Sequence, residues 1–201
     1  MATLPQPITE LVTLKLKKGI TGEDAKKQSQ ELIQSTFQSV KGFLGIKLGG
    51  KMEDKSVLHW LIEWDTIDSH EAFMSTSTYG PFISQITSFS EPSLIHASVQ
   101  APSAPCIEWV TVTLKPETDK QEWVKGLDAL KEVLGERQIS AGWVTENERA
   151  FVVLIGWENK EEHMEWKGRL SEQEVTKAMA MFRSEGVSRV DMCHVGVEQM
   201  L

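Results

Sequence analysis

Val57-Leu-His-Trp-Leu-Ile-Glu-Trp64 and Ala150-Phe-Val-Val-Leu-Ile-Gly-Trp157 are one strand written twice, and that repetition decides the fold. Working outward, Trp64 is followed by His70 and Phe73, and Trp157 by His163 and Trp166, at identical spacing. Upstream, Glu10-Leu-Val-Thr-Leu-Lys-Leu-Lys17 lies on Glu108-Trp-Val-Thr-Val-Thr-Leu-Lys115. Downstream, His96-Ala-Ser-Val99 lies on His194-Val-Gly-Val197. The chain therefore divides into two repeats, 1–100 and 101–201, across the Pro/Ala/Ser stretch Gln100-Ala-Pro-Ser-Ala-Pro105.

Each copy reads as a βαββαβ unit. Residues 8–17 alternate apolar and polar, as a half-buried strand does. Ala25, Leu32, Phe37 and Val40 then fall at helical spacing, as do Trp123, Leu127, Leu130 and Leu134 in the second copy. Strands follow at 43–50 and 56–64, and at 139–145 and 149–157. A short helix comes next, then a break at Ser75-Thr-Ser-Thr-Tyr-Gly-Pro81, a helix at 82–89 and a last strand at 93–99; the second copy closes with a strand at 189–198. Thr118 to Gln121 and Ser171 to Glu174 have the spacing of capping boxes. A four-stranded antiparallel sheet with helices on one face leaves its other face bare. The fold expected is α+β: tandem ferredoxin-like repeats whose two antiparallel four-stranded sheets pack as an intrachain α/β barrel.

Composition narrows the partners. The net charge of −8 opposes nucleic-acid binding, which needs clustered Lys and Arg. No stretch approaches the roughly 20 apolar residues of a membrane helix, and Met1 to Pro7 lacks the charged and apolar regions of a secretory signal. Cys106 and Cys193, without a CxxC or metal-ligand spacing, read as reduced thiols of a cytoplasmic protein. The five scattered His supply no ligand cluster of known spacing, so neither a metal nor an organic cofactor is expected. Seven Trp and seven Phe against one Tyr suit the walls of a cavity for an apolar small molecule.

Leu61-Ile-Glu-Trp-Asp-Thr-Ile-Asp-Ser-His-Glu-Ala-Phe73, followed by Tyr79-Gly-Pro-Phe82, resembles the dimeric α/β-barrel superfamily. The nearest branch is that of the antibiotic-biosynthesis-monooxygenase-like and stress-responsive barrels, here in tandem. The resemblance implies one of several activities: cofactor-independent oxygenation, polyketide cyclisation, haem handling, or none. Barrels of this kind often pair further, which makes a homodimer an expected assembly. In a plant polyketide cyclase of this superfamily a Tyr and a His follow the aromatic that ends the third strand; counting from Trp64 their positions hold Phe73 and Tyr79, and counting from Trp157 they hold Trp166 and Glu172, so neither copy keeps that pair. The Asn that the oxygenases use has only Asn147 and Asn159 as counterparts, in a turn and at a helix start.

Strand alternation puts Leu58, Trp60, Ile62 and Trp64 on one face, and Glu10, Val12, Leu14 and Leu16 on one face of the first strand. His70 and Phe73, three apart, share one side of the short helix. Glu10, His70, His96 and Tyr79 are thus the candidate catalytic residues of the first copy, and Trp60, Trp64, Phe73 and Phe82 the candidate substrate-binding residues. A carboxyl on an apolar strand face beside His is a plausible acid–base couple. Plainer readings stand beside this one: Glu10 reaches water at a strand start, the His hold helix–strand junctions, and the Trp are core. The functions expected are a cofactor-independent enzyme that cyclises, isomerises or otherwise rearranges an apolar polyketide or terpenoid-like molecule, or else a non-catalytic ligand-binding or stress-responsive barrel. A cofactor-independent monooxygenase comes third.

Overall fold

The computed structural model describes residues 7–199; the Met1 to Gln6 stretch, on which the reading of a signal rests, lies outside them. The first repeat runs β1 (Ile8–Leu16), α1 (Gly22–Phe37), β2 (Phe43–Lys51), β3 (Val57–Trp64), α2 (Ile67–Met74), α3 (Tyr79–Phe89) and β4 (Ser90–Ala97). The second runs β5 (Cys106–Leu114), α4 (Lys120–Val124), α5 (Gly126–Leu134), β6 (Ile139–Trp143), β7 (Ala150–Trp157), α6 (Lys160–Arg169), α7 (Glu172–Met179) and β8 (Val187–Gln199). No helix among the described residues is long and apolar enough to cross a membrane.

The two antiparallel four-stranded sheets of the tandem are joined edge to edge into one sheet, in the order β4-β1-β3-β2-β8-β5-β7-β6. One seam is a full ladder, Lys47 to Lys51 of β2 against Gln199 to Val195 of β8. The other is a single bridge, Ala97 to Val144, helped by Thr145 N–H donating to the His96 carbonyl at 2.8 Å. Together they close a barrel. Alternation then sends every second side chain inward and the rest outward under the helices. Leu11, Leu61, Ala97, Ile107, Val152, Leu154 and Val195 meet inside, drawn from both repeats. Val12, Leu14, Trp60, Ile62 and Trp64 pack outward beneath α1 and α3, and Val110, Val112, Val153 and Trp157 do the same in the second repeat.

Each seam depends on one glycine at the same place in its repeat. A Cβ on Gly49 would stand 2.4 Å from the Gly196 carbonyl oxygen, and one on Gly142 would stand 2.4 Å from that of Ser98. Backbones approach here more closely than a side chain permits. Gly49→Ala and Gly142→Ala are each expected to destabilise the protein by about 1–3 kcal/mol, the usual effect of overpacking, as read from urea unfolding. Unchanged midpoints would mean that the seams are looser than drawn.

Three local expectations are corrected. Thr118 does not cap its helix: its hydroxyl donates to the Gly186 carbonyl at 2.8 Å, and Asp119 instead accepts from the amides of Gln121 and Glu122 at 2.9 and 3.2 Å. The helix beyond it is interrupted at Lys125, next to Gly126, Gly being the weakest of the ordinary helix formers. Pro81 does not stop a helix, because it stands in the first turn of α3, where its missing N–H has no partner to lose. The helix therefore begins at Tyr79, and β4 follows it without a loop. The Ser171–Glu174 capping box is present with both reciprocal bonds.

Candidate active site

Burial defines the site first. Glu10 is 7 % exposed, so it does not reach water from its strand start. It projects from β1 beneath the helices with Trp60 and Ile62 of β3, and with His70 and Phe73 of α2 and Tyr79, Phe82 and Ile86 of α3 it lines a cavity of about 190 Å³. An engineered cavity of about 150 Å³ takes up benzene, so this one suits a single-ring-sized ligand. Apart from Glu10, His70, the Tyr79 hydroxyl and Ser93, the lining is apolar, and it carries no Lys or Arg. Trp60 is fully buried and its indole N–H has no partner among the described residues.

Behind the cavity runs a chain of side chains. Trp64 Nε1 donates to Glu10 Oε2 at 3.3 Å. His70 Nε2 lies 3.4 Å from that oxygen, a loose approach, and His70 Nδ1 meets His96 Nε2 at 3.0 Å. His96 Nδ1 is hydrogen-bonded to Glu146 Oε1, and the His96 backbone N–H donates to Glu146 Oε2 at 2.9 Å. Glu146 is half-exposed and belongs to the other repeat, on the β6–β7 hairpin. The path thus leads from a largely apolar cavity to the surface through four titratable groups.

Electrostatics give the path a direction. Desolvation pushes Glu10 up to about 7, against the opposing charge of His96 and the hydrogen bond from Trp64. Burial lowers His70 to about 4, reinforced by His96, so its ring is neutral at physiological pH. Partial burial alone would raise Glu146, but the backbone and ring N–H groups of His96 outweigh it and hold the carboxyl below its ordinary range. An ionised Glu146 fixes the tautomers. When both rings are neutral, His96 Nδ1–H donates to it, His70 Nδ1–H donates to His96 Nε2, and His70 Nε2 is left to accept the proton of Glu10. Tyr79 is pushed up by desolvation and by the charge of Glu10, so it stays a neutral hydroxyl.

The second repeat builds the same constellation from the other side. Trp157 Nε1 donates to Glu108 Oε2 at 3.1 Å, His163 Nδ1 meets His194 Nε2 at 2.7 Å, and His194 Nδ1 meets Glu53 Oε1 at 2.7 Å. Glu53 is on the β2–β3 hairpin of the first repeat; burial alone would raise it, but hydrogen bonds from Lys160 and His194 bring it down to about 2. Each constellation therefore takes its outermost carboxylate from the opposite copy. The inner link differs: His163 Nδ1 is 3.7 Å from Glu108 Oε2 and is already engaged by His194, so this chain stops short of its carboxyl.

Of the residues singled out in the sequence, Glu10, His70, Trp60, Phe73, Tyr79 and Phe82 border the cavity, while Trp64 and His96 stand behind it. Glu53 and Glu146 were not foreseen. A signal existed: each lies eleven residues before the Trp that ends the following strand. His59, the unpaired histidine of the repeat, points into the barrel, where its ring is 4.8 Å from that of Trp109. Glu10, His70 and His96 could offer three ligand atoms to a metal ion, all within 4.8 Å of one another. The two rings would first have to give up their mutual hydrogen bond to turn lone pairs onto a shared ion.

No protein-family model and no curated protein sequence matches the chain. Solved structures do. A presumed monooxygenase from Fusobacterium nucleatum superposes with a TM-score of 0.71 at 14% identity, over 97% of this chain and 94% of that one. An anthrone oxidase-like protein gives 0.70 at 10% identity, over 97% and 94%. A chlorite dismutase from Candidatus Nitrospira defluvii gives 0.66 at 10% identity, over 98% and 93%. At such identities the likeness is one of fold, and it extends over both repeats.

Proposed function

We propose that this chain, which has the dimeric α/β-barrel fold in tandem form, is a cofactor-independent enzyme of secondary metabolism that cyclises or isomerises a small apolar carbonyl compound by proton transfer. The observation that carries the reading is the setting of Glu10: a carboxyl that burial pushes up to about 7, in an apolar, ring-sized cavity, 3.4 Å from the His70–His96–Glu146 chain that leads to the surface. A group poised near the working pH is equally able to take and to return a proton. Ionised Glu10 removes a proton from the carbon beside the carbonyl, giving an enolate; the protonated carboxyl then returns it at another carbon, or after ring closure. The unpartnered Trp60 N–H supports a ligand with an acceptor oxygen, since a buried donor without a partner is costly. The relay through the His pair resets Glu10 if it and the solvent fall out of step.

The experiment needs no knowledge of the natural product. A panel of enolisable aryl ketones and 1,3-diketones is incubated with the protein in D2O, and loss of the α-proton signal is followed by NMR. Catalysed exchange is expected to rise with pH through about 7 as Glu10 ionises. Trp60→Phe should weaken ligand affinity by about five- to a hundredfold, the range for losing one buried hydrogen bond, measured on the folded fraction because the smaller ring also costs core packing. Exchange carried equally well by the Glu10→Gln variant would overturn the assignment.

A second reading, ligand binding without turnover, draws on the loose 3.4 Å approach of Glu10 to His70. It predicts saturable binding with no exchange. The likeness in fold to a presumed monooxygenase and to an anthrone oxidase-like protein supports an oxygenase as a third reading, which oxygen uptake during turnover would reveal.

A further inference from the structure

We infer that β8 is an interaction edge for a second copy of this chain, the two β8 strands pairing antiparallel about a two-fold axis at Val190. This edge lies on the rim of the barrel and is independent of the chemistry assigned to Glu10.

The ladders leave the edge open. On one side β5 pairs with β8 from Val187 to Gly196. On the other, β2 reaches only Val195 to Gln199, because the chain turns away after Lys51. Arg189 to Cys193 therefore have no strand on that side among the described residues, and Ser188 to Met192 are exposed. Successive residues of a strand turn their N–H and C=O groups to opposite edges. The Val197 N–H donates toward β5, to the Pro105 carbonyl at 2.9 Å, whereas the His194 carbonyl accepts from Met52 N–H at 2.8 Å on the other side. Met192 and Val190, in step with His194, thus turn their backbone groups to the open edge. A register shift opposite Thr113 and Leu114 ends the regular strand at Arg189, which confines pairing to the segment around Val190.

The side chains select the partner. With the axis at Val190, that residue meets its own counterpart and exchanges both backbone bonds with it. Arg189 then stands opposite the second copy's Asp191 on each side of the axis, at positions without backbone bonds, where cross-strand side chains are closest. Arg189 Nε and Asp191 Oδ2 already pair along the strand at 2.5 Å, so association closes two such pairs into a ring of alternating charge. Moving the axis by one residue sets Asp191 against Asp191, or Arg189 against Arg189. Charge therefore permits one register, and the exposed Val190 and Met192 add apolar contact on the opposite face.

In the first repeat the same edge is closed. His96, the counterpart of His194, also turns its backbone away from β1, donating to Glu146 and accepting from Thr145. Counting back from it, Pro92 stands in the place of Val190, and Glu91 and Ser93 in those of Arg189 and Asp191. Proline has no N–H to offer a neighbouring strand, a usual way of blunting an edge. Glu91 opposite Ser93 has no charge to answer it.

Sedimentation velocity of the full chain across the micromolar range tests the pairing. The chain is expected to form a reversible dimer, weak because the interface is small. Val190→Pro, which removes an N–H that makes no bond within the chain, should leave it monomeric. Arg189→Asp and Asp191→Arg should each weaken self-association by about tenfold or more, since like charges then stand directly opposite. Mixed together, these two variants should dimerise with each other, which no loss of folding could mimic. Glu10→Gln should associate as the wild type does, so this inference and the catalytic reading fail separately. A wild type that stays monomeric would overturn the pairing. So would a dimer indifferent to the charge changes, or variants that remain monomeric when mixed.

Discussion

Glu10→Gln is expected to lower turnover between about a hundredfold and ten-thousandfold, the span for losing a general acid or base, while raising the melting temperature at pH 8. Both effects follow from one property. Gln has the shape of a protonated Glu and keeps the firmer partner, since its carbonyl oxygen, placed where Oε2 stands, accepts from Trp64 Nε1; what it gives up is the loose 3.4 Å approach of His70 to that same oxygen and the ability to lose and regain a proton. The native carboxyl titrates at about 7 against 4.5 in the free residue. Below pH 4.5 both states are protonated and Glu10 does not weigh on stability. As pH rises from 4.5 through 7 the unfolded chain ionises freely while the native state holds its proton, so the native state is progressively destabilised; above 7 the penalty is complete. Gln escapes it. Thermal melts of the two proteins should therefore coincide at pH 4 and separate at pH 8, the variant being the more stable. Retained activity together with lower stability at pH 8 would show that the carboxyl is structural.

Leu61→Ala is expected to cost about 2–5 kcal/mol of stability, as large-to-small substitutions in well-packed cores do. Leu61 is fully buried inside the barrel, where Leu11 from its own repeat meets Ile107, Val152 and Leu154 from the other. At about 2–4 °C per kcal/mol for a chain of this size, the melting temperature should fall by roughly 5–15 °C. The form of the transition matters as much as its position. Because the interior is common to both repeats, the variant should still unfold in one step, with Trp fluorescence and circular dichroism coincident. Leu44→Ala, at a 56 % exposed position, is the control and should change little. Two separated transitions would mean that each repeat has a self-sufficient core and that the barrel interior contributes little.

The architecture was legible because it is written in period and repetition. Alternation along Val57 to Trp64 and Ala150 to Trp157 names the faces, and duplication requires that two bare faces find each other. What stayed hidden depends on approach between the copies. Nothing in a single hairpin says that Glu53 and Glu146 reach across to His194 and His96. Nor does a lone Gly announce that Gly49 and Gly142 are the points where two seams touch. The cavity residues of the first copy were legible for the opposite reason. Glu10, Trp60, His70 and Phe73 are set by strand and helix periodicity within one repeat, which places them under the same helices. Local signals were weakest at Thr118, whose hydroxyl has a distant partner in Gly186 that no spacing rule anticipates.

The central claim is that burial poises the Glu10 carboxyl near neutrality, beside a His70–His96–Glu146 chain that leads to the surface. It is tested most directly by titrating the side-chain carboxyl carbon of Glu10 by 13C NMR in the full-length protein labelled at glutamate, with Glu10→Gln to assign the resonance. The account predicts a midpoint near 7, well above that of an ordinary glutamate. A single midpoint near the 4.5 of an ordinary glutamate would contradict it, and Glu10 would then be a hydrated carboxylate with no claim to acid–base work.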